Sequence, residues 1–118
     1  MDRAAIVHQN FLRRLSADDL PDGPQPDPSI EPAKLVELFR RQTLSRQLDR
    51  TSRVMQSKGK GFYTIGSSGH EGMAAVAEAL RPTDMAFLHY RDAAFQIQRA
   101  AQVPGQTPVW DMLLSFRT

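Results

Sequence analysis

Between Gly61 and Asp92 the chain reads GFYTIGSSGHEGMAAVAEALRPTDMAFLHYRD, a segment that sets a glycine-serine loop before one helical pattern and a Tyr-Arg pair before the next. Gly66, Ser67, Ser68 and Gly69 could let backbone N–H groups converge on an anion, helped by the positive end of the following helix. Tyr90 brings a phenolic hydroxyl, and Arg91 a planar, permanently charged fork suited to two phosphate or carboxylate oxygens at once. Anion binding is therefore the chemistry to expect here. Two plainer readings stay open beside it. The loop could serve only to start a helix, and Tyr90-Arg91 could be a surface aromatic beside an arginine paired with Asp92 or Glu78.

The elements that must position these residues follow from composition and spacing. The 118 residues, 41% hydrophobic, allow one domain with a modest core. The absence of cysteine excludes a disulfide scaffold and a cysteine-based zinc site, and fits a cytoplasmic location. The N-terminus lacks the apolar core of a secretory signal, and no apolar run approaches the ~20 residues that span a bilayer, so a soluble chain is expected. A net charge of +2, with arginines interleaved among acids and leucines, is not the concentrated footprint of a nucleic-acid binder. The Arg40–Arg53 stretch reads as an amphipathic helix.

Ile6, Val7, Phe11, Leu12 and Leu15 recur on one helical face, predicting an N-terminal arm over residues 1–20. Four prolines and a glycine within residues 21–29 make a linker. The body, residues 30–118, opens with Ser29 as the expected N-cap and Pro32 in the first turn of a helix running to about Ser57. Leu35, Leu38, Phe39 and Gln42 form one stripe on it, and Leu44, Leu48, Thr51 and Met55 a rotated one. Phe62-Tyr63-Thr64-Ile65 is β-prone and suggests a short extended segment. Ser68 and Glu71 have the S-x-x-E spacing of a capping box for the next helix. His89–Asp92 opens a helix to about Gln102, and Trp110–Phe116 a final apolar one whose side chains need more neighbours than the chain offers.

The ordered series GFYTIGSSGHEG, ALRPTD and LHYRD resembles the N-terminal part of the thiamine-diphosphate-dependent 2-oxo acid dehydrogenases, over roughly Leu35–Phe116. Within that group it is most similar to the alpha portion of the branched-chain (2-oxoisovalerate) dehydrogenase, the decarboxylating component of its complex. The resemblance implies oxidative decarboxylation of a branched-chain 2-oxo acid, with acyl transfer to a lipoyl group. It implies thiamine diphosphate and Mg2+ as cofactors. It also implies, as partners, a beta portion and a lipoyl acyltransferase in an oligomeric enzyme. By the same resemblance Tyr90 and Arg91 match the pair that contacts the cofactor diphosphate. Phe62 and Tyr63 fall where the family builds wall of the acyl pocket. His70 is a candidate contact to substrate or intermediate, against the plainer reading of an exposed or capping residue.

The sequence departs from the family in holding no Gly-Asp-Gly and none of the parallel sheet that would carry this magnesium motif. The expected fold class is therefore mainly α, the N-terminal helical segment of an α/β thiamine-diphosphate-binding fold whose sheet is largely missing. The domain is expected to be incomplete, with no metal ligands of its own and no activity alone. His8 and His89 stand without a partner at catalytic spacing and are read as structural. The alternative function is a small helical interaction module that binds no cofactor.

Overall fold

The computed structural model describes residues 3–18, 23–24, 27–62 and 66–117. Among them are five helices and no strand: α1 (Arg3–Ala17), α2 (Pro32–Ser57), α3 (Met73–Ala79), α4 (Ala93–Ala101) and α5 (Pro108–Ser115). No described helix is long and apolar enough to cross a membrane. The chain divides into two compact units, residues 1–31 and 32–118.

In the first unit α1 leaves Leu12 and Leu15 about half exposed. It ends where Asp18 adopts a φ of 50°, the left-handed conformation that stops a helix. Ser29 does not cap α2. Its φ is 52°, and its N–H donates to the Asp27 carboxylate at 2.8 Å, closing a tight turn before the helix. That places Glu31 directly before Pro32, whose missing N–H costs nothing in a first turn.

The second unit is organised around α2, α3 and α4. The buried seam of α2 is Leu38, Ser45, Leu48 and Ser52, which keeps one leucine of each expected stripe and adds two serines that hydrophobicity does not select. Phe39 is 50% exposed and Thr51 faces solvent. Small side chains explain the difference. Ser45 and Ser52, each 1% exposed, remove the bulk that would hold a neighbouring backbone away, and α4 packs against this helix. Ala74 and Ala77 of α3 and Ala94 of α4 are likewise fully buried, and α3 packs most extensively on α4. Leu38, Ala74 and Ala94 form one cluster, and Phe95, Ile97 and Leu48 are large side chains almost wholly enclosed.

A polar tie runs across the same three helices. Glu78 of α3 meets Lys34 of α2 at 2.6 Å and accepts hydrogen bonds from Gln98 of α4 at 2.6 Å and from Gln102 just beyond it at 3.3 Å. The Lys34 hydrogen bond, opposed by partial burial and aided by both glutamines, holds the Glu78 carboxyl below the usual carboxylate range. At the far end, Phe62 N–H donates to the Phe116 carbonyl at 3.0 Å and fastens the α5 end to the segment after α2. Phe62 itself lies in no regular element, and the expected extended segment at 63–65 falls outside the described residues.

Two predictions follow from these ties. A Cβ at Gly61 would stand 2.9 Å from the backbone carbonyl oxygen of Phe116, so Gly61→Ala should cost about 1–2 kcal/mol. It should also raise amide exchange through α5, and unchanged protection there would contradict the contact. The depressed Glu78 value contributes stability that is complete above the unfolded carboxylate value and is lost as pH falls through the folded one. Glu78→Gln should therefore flatten the acid limb of a melting-temperature profile below about pH 4.3, and an unaltered limb would refute the tie.

Candidate functional site

The loop after α2 is held from below by that helix. Asp49 accepts the Ser67 N–H at 3.3 Å through one oxygen, while its other oxygen lies 3.5 Å from Arg53 Nε. The Arg53 guanidinium lies where a Gly66 side chain would begin, so a larger residue there would have to displace it. Arg46 pairs with Glu71 at 2.9 Å. Three turns of α2 thus anchor the loop through charge.

These contacts change what the loop can do. Ser67 N–H is taken by Asp49, Gly69 N–H by Glu71 Oε2 at 2.8 Å, and His70 N–H by the Ser67 carbonyl at 2.9 Å. The expected capping box does not form. Glu71 reaches back to Gly69 and across to Arg46, and α3 starts only at Met73 with Gly72 before it. Short i+3 hydrogen bonds from Met73 and Ala74 lead into the helix. Three of the loop amides, those of Ser67, Gly69 and His70, are therefore satisfied within the protein and are not turned toward an external anion. Ser67 Oγ, buried, meets no hydrogen-bond partner among the described residues.

The second half of the site is the turn before α4. Asp92 is 8% exposed and directs its two oxygens in different directions. Oδ2 accepts the His89 N–H at 2.8 Å, and Oδ1 lies 3.4 Å from His70 Nδ1. The turn between His89 and Asp92 is closed again by Asp92 N–H donating to the His89 carbonyl at 2.9 Å. The rings of His70 and His89 stack with centroids 6.2 Å apart, and His89 in turn lies 3.8 Å from the Tyr90 ring. Arg91 N–H donates to His89 Nδ1 at 3.4 Å, which requires a lone pair on that nitrogen.

Arg91 pairs with neither of the acids considered from sequence. Glu78 is engaged by Lys34 and two glutamines, and Asp92 by His89 and His70. Its guanidinium carbon lies 5.8 Å from the Tyr90 ring centroid, and its Nε, shut off from solvent, meets no acceptor among the described residues. An enclosed N–H donor without an acceptor is costly; Arg41 Nε and Arg99 Nε and Nη2 share this condition, and Arg91 differs from them in standing beside the exposed Tyr90. Tyr90 is 66% exposed and its hydroxyl can reach a ligand from solvent.

The structure thus brings His70, Tyr90 and Arg91 into one chain of contacts. Phe62, 71% exposed, lies instead beside the end of α5, and Tyr63 falls outside the described residues. His89 was read as a lone structural residue, and it sits between His70 and Tyr90. Asp92 was missed as an organiser, although its spacing three residues after His89, directly before a helical pattern, carried the signal of a side chain closing on the backbone. Among the described residues no group of three His, Cys, Asp or Glu side chains could hold a metal ion. No family model, curated protein or solved structure matches the chain.

Asp49→Ala should release the loop from α2. The Ser67 amide is expected to exchange about tenfold faster, reflecting loss of one charge-assisted hydrogen bond of about 1.5 kcal/mol, while α4 protection stays unchanged. Equal exchange at Ser67 in both proteins would show that Asp49 does not hold it.

Proposed function

We propose that the chain supplies half of a cofactor diphosphate clamp in a thiamine-diphosphate-dependent 2-oxo acid dehydrogenase. The observation that carries this reading is the Arg91 Nε, enclosed and without an acceptor, beside the exposed Tyr90. The order of the GFYTIGSSGHEG, ALRPTD and LHYRD motifs supports the branched-chain alpha-type assignment within that class.

In this reading Arg91 presents its fork to diphosphate oxygens and Tyr90 donates its hydroxyl, while Asp92 and His89 hold the turn that aims them. Thiamine diphosphate, when bound, supplies a nucleophilic carbon and an electron sink for loss of carbon dioxide. His70, which faces the same turn, is assigned as a contact to substrate or intermediate. Phe62 and Tyr63 are assigned to the acyl-pocket wall. Oxygen ligands for Mg2+ are assigned to polypeptide outside these 118 residues, because the sequence has no Gly-Asp-Gly. The beta portion and the lipoyl acyltransferase are the partners this function requires, in a cytoplasmic oligomer.

A second reading, a helical interaction module without cofactor, is favoured by one observation. Phe62, Met85, Phe87 and Trp110 are 64–95% exposed, more large apolar surface than an isolated small domain usually shows. The two readings part at Arg91. A titration with pyrophosphate followed at the Arg91 Nε–Hε resonance should saturate, and Arg91→Ala should weaken it about tenfold or more. Equal affinity in the variant would overturn the clamp and leave the module. The chain alone, given thiamine diphosphate and Mg2+, should not decarboxylate a branched-chain 2-oxo acid, and any turnover would refute the division of the site.

A further inference from the structure

An anion site built on Arg91 has a liability in its own sequence, since the next residue is a nearly buried carboxylate. Asp92 would repel whatever anion Arg91 attracts, at a distance fixed by the backbone. Its partners decide how much of that charge is felt. The His89 N–H contributes only a dipole, whereas His70 Nδ1, 3.4 Å from the other oxygen, contributes a full charge when protonated. No arginine or lysine among the described residues pairs with Asp92. Glu71, beside His70 in the chain, is held by Arg46, and Asp49 lies by Arg53. The other titratable group facing His70 is His89, stacked 6.2 Å away, whose Nδ1 accepts the Arg91 N–H.

We infer that His70 is the proton-dependent counter-charge of Asp92, so that anion capture at Tyr90-Arg91 strengthens when His70 takes up a proton. This rests on the reading of Tyr90-Arg91 as an anion site. Imidazole is the side chain whose charge changes across the physiological pH range. With His70 neutral, Asp92 opposes the incoming anion. With His70 protonated, the His70–Asp92 pair is neutral overall and Arg91 acts without opposition. By linkage the bound anion in turn favours the protonated state. His89 adds a smaller effect of mixed sign. Its proton would bring a positive charge near the anion and would also remove the acceptor of the Arg91 N–H.

Sulfate tests this cleanly, because it stays doubly charged across the range while phosphates titrate. Sulfate affinity of the wild-type chain, read at the Arg91 Nε–Hε resonance, should rise about fivefold from pH 8 to pH 5.5, a change expected of one partly exposed charge. His70→Gln should bind with the weak high-pH affinity throughout, and His89→Gln should keep most of the slope. Asp92→Asn, whose amide oxygen still accepts the His89 N–H, should bind tightly at both ends of the range. A slope that survives intact in His70→Gln, or Asp92→Asn binding no tighter than wild type at pH 8, overturns the inference while leaving the anion site standing. Sulfate affinity unaffected by Arg91→Ala, or no binding at any pH, overturns the site and the linkage together.

Discussion

Asp92 is the constraint on which the candidate site depends. One buried carboxylate closes the 89–92 turn through the His89 N–H, faces the His70 ring across from the preceding loop, and stands directly before α4. A carboxylate so enclosed is tolerable only where its oxygens are met by donors. Meeting that need fixes the position of His70, the stacking of His89 and the direction in which the chain enters Tyr90 and Arg91. The exposed phenol and the enclosed guanidinium Nε are consequences of a turn whose geometry the acid sets.

The support beneath that turn is a helix interface made of small residues. Ser45 and Ser52 on α2 and Ala94 on α4 are almost completely buried. Such seams allow close approach, yet they bury little apolar area per contact, so their contribution per residue is modest. Phe95, Ile97 and Leu48 supply the large enclosed side chains. The Glu78 tie to Lys34, Gln98 and Gln102 and the Arg46–Glu71 pair add polar links across the same elements. Much of the apolar content lies elsewhere, on surfaces such as Phe87 at 95% exposure and Trp110 at 64%. A chain built this way is suited to a role in which further polypeptide covers those residues, which is common ground between the clamp and the interaction-module readings.

Helices α1, α2 and α5 were legible from their apolar residues and from the prolines and glycines near their ends, whereas α4 was expected to open at His89 and begins only at Ala93, because Asp92 closes residues 89–92 into a turn first. The start of α3 was not legible either. Ser68 and Glu71 have the right spacing for a reciprocal cap, but Glu71 is drawn to Arg46, a residue of α2 that no local pattern connects to it. Ser29 failed as a cap for a local reason, since α2 begins only at Pro32 and Ser29 takes a left-handed φ of 52° instead of the extended conformation of a capping residue. The seam of α2 was read in part: Leu38 and Leu48 are buried as hydrophobicity selects, while Phe39 is exposed and the small Ser45 and Ser52 take buried places that hydrophobicity overlooks. The same distinction governs the site. Tyr90 and Arg91 announce themselves by type, while the role of Asp92 depends on a partner 22 positions away in sequence.

The most direct test of the central claim is a structure of the protein with thiamine diphosphate bound. The account predicts diphosphate oxygens within hydrogen-bond distance of Arg91 Nε and the Tyr90 hydroxyl, with the 89–92 turn unchanged. A diphosphate held elsewhere, or Arg91 bonded instead to a carboxylate of another chain, would contradict it.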